Sequence, residues 1–157
     1  MSRRRKNKNY EGIWLEMISN PKYGWCNFDL ENFHGTPSYL TDVPIDLLNC
    51  IIEYIETGCS SCWFDEEGTN FTFVLTPYDV YIISESDSSK LYNFNNIEPN
   101  NLIKEIINDI ESNMDEWSWF NSFDENEHKS NKILIQSKLD YIKRNIKIGD
   151  ERFYEEF

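Results

Sequence analysis

Four cysteines and two histidines are the residues of this chain whose types could bind a metal or carry redox chemistry. Cys59 and Cys62 form the only CxxC spacing in the sequence. The remaining candidate ligands are dispersed: Cys26, Cys50, His34 and His128. Zinc sites usually have a second closely spaced ligand pair, and a thioredoxin-like CxxC opens a helix, whereas this one follows a predicted helix and enters a predicted strand. We therefore expect free thiols, no metal site and no cofactor.

An acidic turn, Asp65-Glu66-Glu67-Gly68, is the second group with possible chemistry. Its carboxylates could bind a divalent cation or act as acid and base, although they lack the spaced ligand series of a calcium loop. An enzyme would need a concave pocket that joins Asp65 or Glu67 to His34. The sequence contains no glycine-rich phosphate loop, nucleophile elbow or metalloprotease pattern. It therefore identifies no catalytic residue, and we expect that the chain is not an enzyme.

A third group, between residues 115 and 125, consists of aromatic residues with acidic residues before and after them. Aromatic anchors with a charged rim are typical of protein interfaces. The alternative is that these rings cover the core at the end of a helix. With the acidic turn, the group completes a predicted partner-binding set: Asp65, Glu66, Glu67, Asp115, Glu116, Trp117, Trp119, Asp124 and Glu125.

Apolar residues at helical spacing predict three helices. The first spans 42–57 and stops at Gly58, the second spans 99–114, and the third carries the apolar residues from Ile135 to Ile146. A polar loop is predicted at 121–130. Four of the apolar side chains are expected in the core: Leu48, Ile52, Ile106 and Ile110.

Period-two alternation predicts strands in the middle of the chain. The predicted segments are 26–30, 71–75, 80–83 and 91–94. Strands in the middle with helices around them indicate an α+β fold, an antiparallel meander sheet with about three flanking helices. The expected organisation is a single domain at 10–148, a basic flexible leader at 1–9 and a C-terminal tail at 149–157.

The charge is strongly negative and unevenly distributed. The net charge is −13, and residues 9–128 contain 23 acidic side chains against three lysines. Such a field repels nucleic acid and anionic membranes and attracts basic partners, although acidity also simply keeps proteins soluble. The sequence has no apolar stretch of membrane-spanning or signal-peptide type, so we expect a cytoplasmic protein with no membrane contact and no direct binding of nucleic acid.

Several segments together resemble a known class of protein. They are, in order, Ser38-Tyr39-Leu40-Thr41-Asp42-Val43-Pro44, a helix ending at Gly58, Phe64-Asp65-Glu66-Glu67-Gly68, and strands at 71–75 and 80–83. Over residues 25–120 the chain resembles the small immunity proteins of bacterial polymorphic-toxin and contact-dependent growth inhibition systems. The resemblance implies a cytoplasmic inhibitor that binds the C-terminal domain of one cognate toxin, with no catalytic residues to carry over.

The leading hypothesis is thus an immunity protein that binds and neutralises a toxin domain, expected to be a basic nuclease. Its acidic residues would suit the nuclease's basic cleft, because charge complementarity steers association. Two alternatives remain open. One is an acidic DNA-mimic inhibitor of phage type, with carboxylates spaced like duplex phosphates, and the other is a small enzyme using Asp65 or Glu67 with His34.

Overall fold

The computed structural model describes the backbone of residues 7–8, 14–86 and 89–155, and the side chains of residues 16–86 and 89–146. Every strand pairing within it is antiparallel: a two-stranded pair β1-β2, a sheet β3-β4-β5 and a sheet β6-β7-β8-β9. The elements in chain order are β1 (Asn7–Lys8), β2 (Trp14–Leu15), β3 (Ile18–Lys22), β4 (Trp25–Leu30), β5 (Phe33–Gly35), α1 (Val43–Thr57), β6 (Ser60–Asp65), β7 (Asn70–Leu75), β8 (Val80–Ser84), β9 (Lys90–Phe94), α2 (Pro99–Ser112), α3 (Met114–Trp119) and α4 (Glu125–Glu155).

The core combines residues of the two larger sheets with the buried faces of the helices. Alternate side chains of β6, β7 and β8 are buried on one face of the four-stranded sheet, as the two-residue period requires. Phe28 of β4 packs against this face, with its ring centroid 5.9 Å from Phe64, 5.0 Å from Phe71 and 5.5 Å from Phe73. These aromatic contacts join the three-stranded sheet to the four-stranded sheet in one hydrophobic core.

The first helix follows its sequence pattern closely. Its buried side chains recur every three or four residues, and Pro44 occupies the first turn, where a missing N–H costs nothing. The helix ends at Gly58, whose φ of +85° is left-handed and whose N–H donates to the Tyr54 carbonyl at 2.7 Å. The expected core positions Leu48, Ile106 and Ile110 are fully buried. Ile52 is only half-buried, although it packs against the core.

The fold class predicted from the sequence is confirmed, and some elements differ from the prediction. The strands form two sheets and a separate pair rather than one meander, and the described residues contain four helices. The predicted helix at 99–114 is interrupted at Asn113, whose φ of −134° and ψ of 43° are not helical. The short α3 then begins at Met114.

The predicted polar loop at 121–130 is wrong from residue 125 onward, because α4 begins at Glu125. Asp124 Oδ1 accepts from the Glu127 N–H at 2.8 Å, and Glu127 Oε2 accepts from the Phe123 N–H at 2.6 Å. This reciprocal capping stabilises a helix start that is polar on its surface. The D-x-x-E spacing that encodes it was present in the sequence.

The predicted boundaries of the domain, at residues 10 and 148, lie close to the ends of the part of the chain that the structure describes. Of the expected leader, only Asn7 and Lys8 belong to the described residues, where they pair with β2. The backbone of α4 stays helical to Glu155, past residue 149 where a C-terminal tail was expected to begin. None of the helices in the described part of the chain combines the length and apolar composition needed to cross a membrane.

Two half-buried carboxyl groups at the start of α1 link stability to pH. Burial raises the pKa of Asp42 above 3.8, the Asp46 carboxylate adds to the shift, and hydrogen bonds from Ile45 and Asn121 oppose it. Burial likewise raises the pKa of Asp46. Because the folded state then binds these protons more tightly than the unfolded state, stability falls as the pH rises from about 3.8 through the folded pKa values.

We therefore expect Asp46→Asn to gain stability relative to the wild type as the pH is raised from about 4 to about 7. Thermal melting of both proteins across this range measures the effect. Asp140→Asn, an exposed site on α4, is the matched control and should show no such trend. A stability difference between Asp46→Asn and the wild type that stays constant with pH would contradict the assignment.

Candidate partner-binding surface

A groove of about 310 Å³ opens where α3 meets the β3–β4 turn and the loop before α1. Most of its lining is aromatic, and its one charged lining residue is Glu116. The lining residues are Pro21, Tyr23, Gly24, Tyr39, Glu116, Trp119, Phe120, Ser122 and Phe123. Its exposed lining is mixed, with aromatic rings beside polar atoms, and binding sites commonly combine the two.

Gly24 and Tyr39 shape one wall of the groove. Gly24 has a φ of +76°, and a Cβ atom there would lie 2.7 Å from Tyr39 Cδ1. The Tyr39 N–H donates to the Gly24 carbonyl at 2.8 Å, and the Tyr39 ring meets Phe123 edge-on with centroids 6.3 Å apart. A glycine is therefore needed at position 24 both for the backbone conformation and for the close approach of the Tyr39 ring.

Trp119 also lines the groove, and its ring is held by neighbouring side chains. Its ring stacks on His128 with centroids 4.2 Å apart and planes 15° apart. His128 Nε2 lies 3.1 Å from Asp115 Oδ1, and Lys132 Nζ lies 3.6 Å from the same oxygen. With one face against His128, Trp119 is still 40% exposed, and it lines the groove.

The acidic turn is built by its own carboxylates. Asp65 Oδ1 accepts from the Glu67 N–H at 2.6 Å, and Glu67 and Gly68 have left-handed φ values of +55° and +113°, as a tight hairpin turn requires. Glu66 Oε2 accepts from the Thr36 N–H at 2.8 Å. Asp65 and Glu66 thus have structural roles, whereas Glu67 is exposed.

The segment 36–41 connects the acidic turn to the groove. The Ser38 N–H donates to the Asp65 carbonyl at 2.8 Å, and the next residue is Tyr39 of the groove wall. The Asp65 N–H in turn lies 3.3 Å from Thr41 Oγ1. One short segment therefore both contacts the acidic turn and supplies a residue of the groove.

The predicted partner-binding set is divided by the structure. Glu116 and Trp119 line the groove, and Asp115 supports it through His128. Asp124 is the cap of α4 described above, and Glu125 is an exposed residue of its first turn. Trp117 is only 1% exposed, so of the two alternatives for this ring the core one applies.

The thiols and His34 lie elsewhere. The four cysteines are free, and no metal-binding group of three or more His, Cys, Asp and Glu occurs among the residues that the structure describes. Burial raises the pKa of the Cys26 and Cys62 thiols, which keeps them protonated at neutral pH. His34 Nδ1 lies 2.6 Å from Asp29 Oδ1 across the β4–β5 pair.

The enzyme hypothesis required a pocket shared by His34 with Asp65 or Glu67. Neither the groove nor the neighbouring depression at the start of α4 is lined by any of these three residues. No family model, curated protein or solved structure matches this chain.

Seven of the nine residues that line the groove were not in the predicted set: Pro21, Tyr23, Gly24, Tyr39, Phe120, Ser122 and Phe123. Tyr23 is 95% exposed and Phe123 is 78% exposed, which is unusual for large rings. Such exposure indicates a binding surface, but it can be recognised only once the fold is known. The residues come from three separate segments, and no local pattern in the sequence relates them.

Proposed function

We propose that this chain is an immunity protein that binds and neutralises a basic toxin domain in the cytoplasm. One observation carries the proposal: the loop at 36–41, which hydrogen-bonds to Asp65 of the acidic turn, also supplies Tyr39 of the aromatic groove. Exposed aromatic rings supply the anchors of a protein interface, and surrounding carboxylates supply a field that attracts a basic partner.

Neutralisation would act by occlusion. Residues 9–128 hold 23 acidic residues against three lysines, and their mutual repulsion is relieved when a basic partner binds. A partner docked on the groove and the acidic turn would have its own basic cleft covered. This mechanism requires no reacting group on the chain.

The arrangement supports a protein partner over mimicry of DNA. A DNA mimic needs carboxylates spaced like phosphates along an extended surface, whereas the centre of this surface holds Tyr39, Trp119 and Phe123. Two of the flanking carboxylates, Asp65 and Glu66, are engaged in hydrogen bonds to the backbone. Aromatic anchors of this kind favour recognition of one cognate protein.

The test is the binding kinetics against the toxin domain encoded by the neighbouring gene. Glu67→Lys should slow association by roughly tenfold at low salt, because electrostatic steering acts on the encounter rate. At about 0.5 M salt, where the Debye length is below roughly 5 Å, the difference should vanish. Glu67 is preferred to Glu66 because its carboxylate makes no hydrogen bond within the described part of the chain.

Glu53→Lys is the control for this measurement. Glu53 is an exposed carboxylate of α1 that does not line the groove, and the substitution changes the net charge equally. Its effect on association should be clearly smaller than that of Glu67→Lys. An association rate indifferent to salt, or equal effects of the two variants, would contradict the proposed orientation, and failure to bind the toxin domain at all would contradict the proposed function.

A further inference from the structure

We propose that the groove is a receptor for one arginine side chain of the partner. This inference rests on the proposed function, because it names the chemistry by which the toxin domain would be recognised. It concerns the groove alone, so a small probe can test it without the toxin.

The aromatic walls suit a planar cation. The rings of Tyr39, Phe123 and Trp119 border the groove, and cations bind to the faces of such rings, with tryptophan the strongest. His128 stacks on one face of Trp119, so a stacking ligand would use the other face of the ring. Gly24 admits the Tyr39 ring at a distance that no other residue type would allow.

The charge at the groove is unbalanced. Among the residues that the structure describes, Glu116 is the one charged side chain that lines the groove, and none of the lining side chains is basic. The neighbouring Asp115 carboxylate is shared by His128 and Lys132, whereas no hydrogen bond or ion pair of Glu116 is found among the residues described. An incoming cation would therefore meet an available carboxylate beside aromatic faces.

Arginine matches this combination better than lysine. Its guanidinium is planar, is weakly hydrated, stacks on aromatic rings and binds a carboxylate through two parallel hydrogen bonds. A lysine ammonium is a compact and strongly hydrated charge that would lose more hydration on entering a mostly aromatic groove. The groove volume of about 310 Å³ is at the small end of the range for ligand pockets, which suits a single side chain.

The experiment titrates the full chain with N-acetylarginine amide and follows the indole N–H signals by NMR. Trp119→Phe identifies which of the five tryptophan signals belongs to Trp119. We expect that signal to shift in a saturable way, with a dissociation constant on the order of millimolar. The lysine analogue should bind at least several-fold more weakly, and the neutral citrulline analogue should cause no saturable shift.

Variants complete the test. Glu116→Gln should weaken arginine binding several-fold, whereas Glu53→Gln on α1 should leave it unchanged. Absence of a saturable shift with arginine, an equal response to citrulline, or an equal response to lysine would overturn the proposal. If the toxin domain binds while arginine does not, the proposed function stands without this inference. If arginine binds and the toxin domain does not, the groove is an arginine site and the proposed function is contradicted.

Discussion

Replacing Phe28 by alanine should lower the free energy of unfolding by about 3–5 kcal/mol, the cost of truncating a fully buried aromatic residue. Phe28 is 0% exposed and contacts Phe64, Phe71 and Phe73 across the two sheets. Its removal leaves a cavity where the sheets meet. Since small domains are stable by only about 5–15 kcal/mol, this single change should remove a large share of the total.

Urea denaturation measures this loss, and Phe123→Ala is the matched control. Phe123 is 78% exposed, so the same loss of a ring should change stability by no more than about 0.5 kcal/mol. Equal losses for the two variants would mean that the sheets do not pack through Phe28.

Replacing Asp109 by alanine should lower the free energy of unfolding by about 2–5 kcal/mol, because buried N–H groups would lose their acceptor. Asp109 of α2 is fully buried, and its Oδ2 accepts from the Met17 N–H at 2.9 Å and lies 3.4 Å from the Ile18 nitrogen. The contact ties the helix to the start of β3, across 92 residues of sequence.

Two variants separate this contact from general effects. Asp109→Asn retains an acceptor oxygen and should be less destabilising than Asp109→Ala. Asn108→Ala alters the exposed neighbour on the same helix and should have little effect on the denaturation midpoint. An Asp109→Ala protein as stable as Asn108→Ala would remove the proposed tie between α2 and β3.

Much of the fold could be predicted because local patterns encode it. The apolar spacing of α1 and its glycine stop are properties of neighbouring residues, and the alternation in β7 and β8 directly reports which face is buried. The start of α4 was missed because its polar residues mask a helix that depends on capping by Asp124 and Glu127. The separation into two sheets was also missed, because strand pairing depends on contacts between distant segments.

The binding surface was predicted only in part. Trp117 and Trp119 look equivalent in the sequence, yet two positions on a helix are about 200° apart around its axis. One ring therefore enters the core while the other lines the groove. The local sequence does not indicate which tryptophan is buried. Trp117 is followed by a serine and Trp119 by a phenylalanine, and neither belongs to a clear apolar period. Tyr23 and Tyr39 join the surface only through the folded chain.

The central claim is that this surface neutralises a toxin domain, and the most direct measurement is inhibition of the activity of the toxin domain encoded by the neighbouring gene. The wild-type chain should inhibit fully at an equimolar ratio. Trp119→Ala should need at least roughly tenfold more protein for the same inhibition, since losing an interface anchor weakens the binding free energy by about 2 kcal/mol. Trp63→Ala is the matched control, because Trp63 is 48% exposed on β6 and does not line the groove, and it should inhibit like the wild type. No inhibition by the wild-type chain, or equal loss of inhibition in both tryptophan variants, would contradict the account.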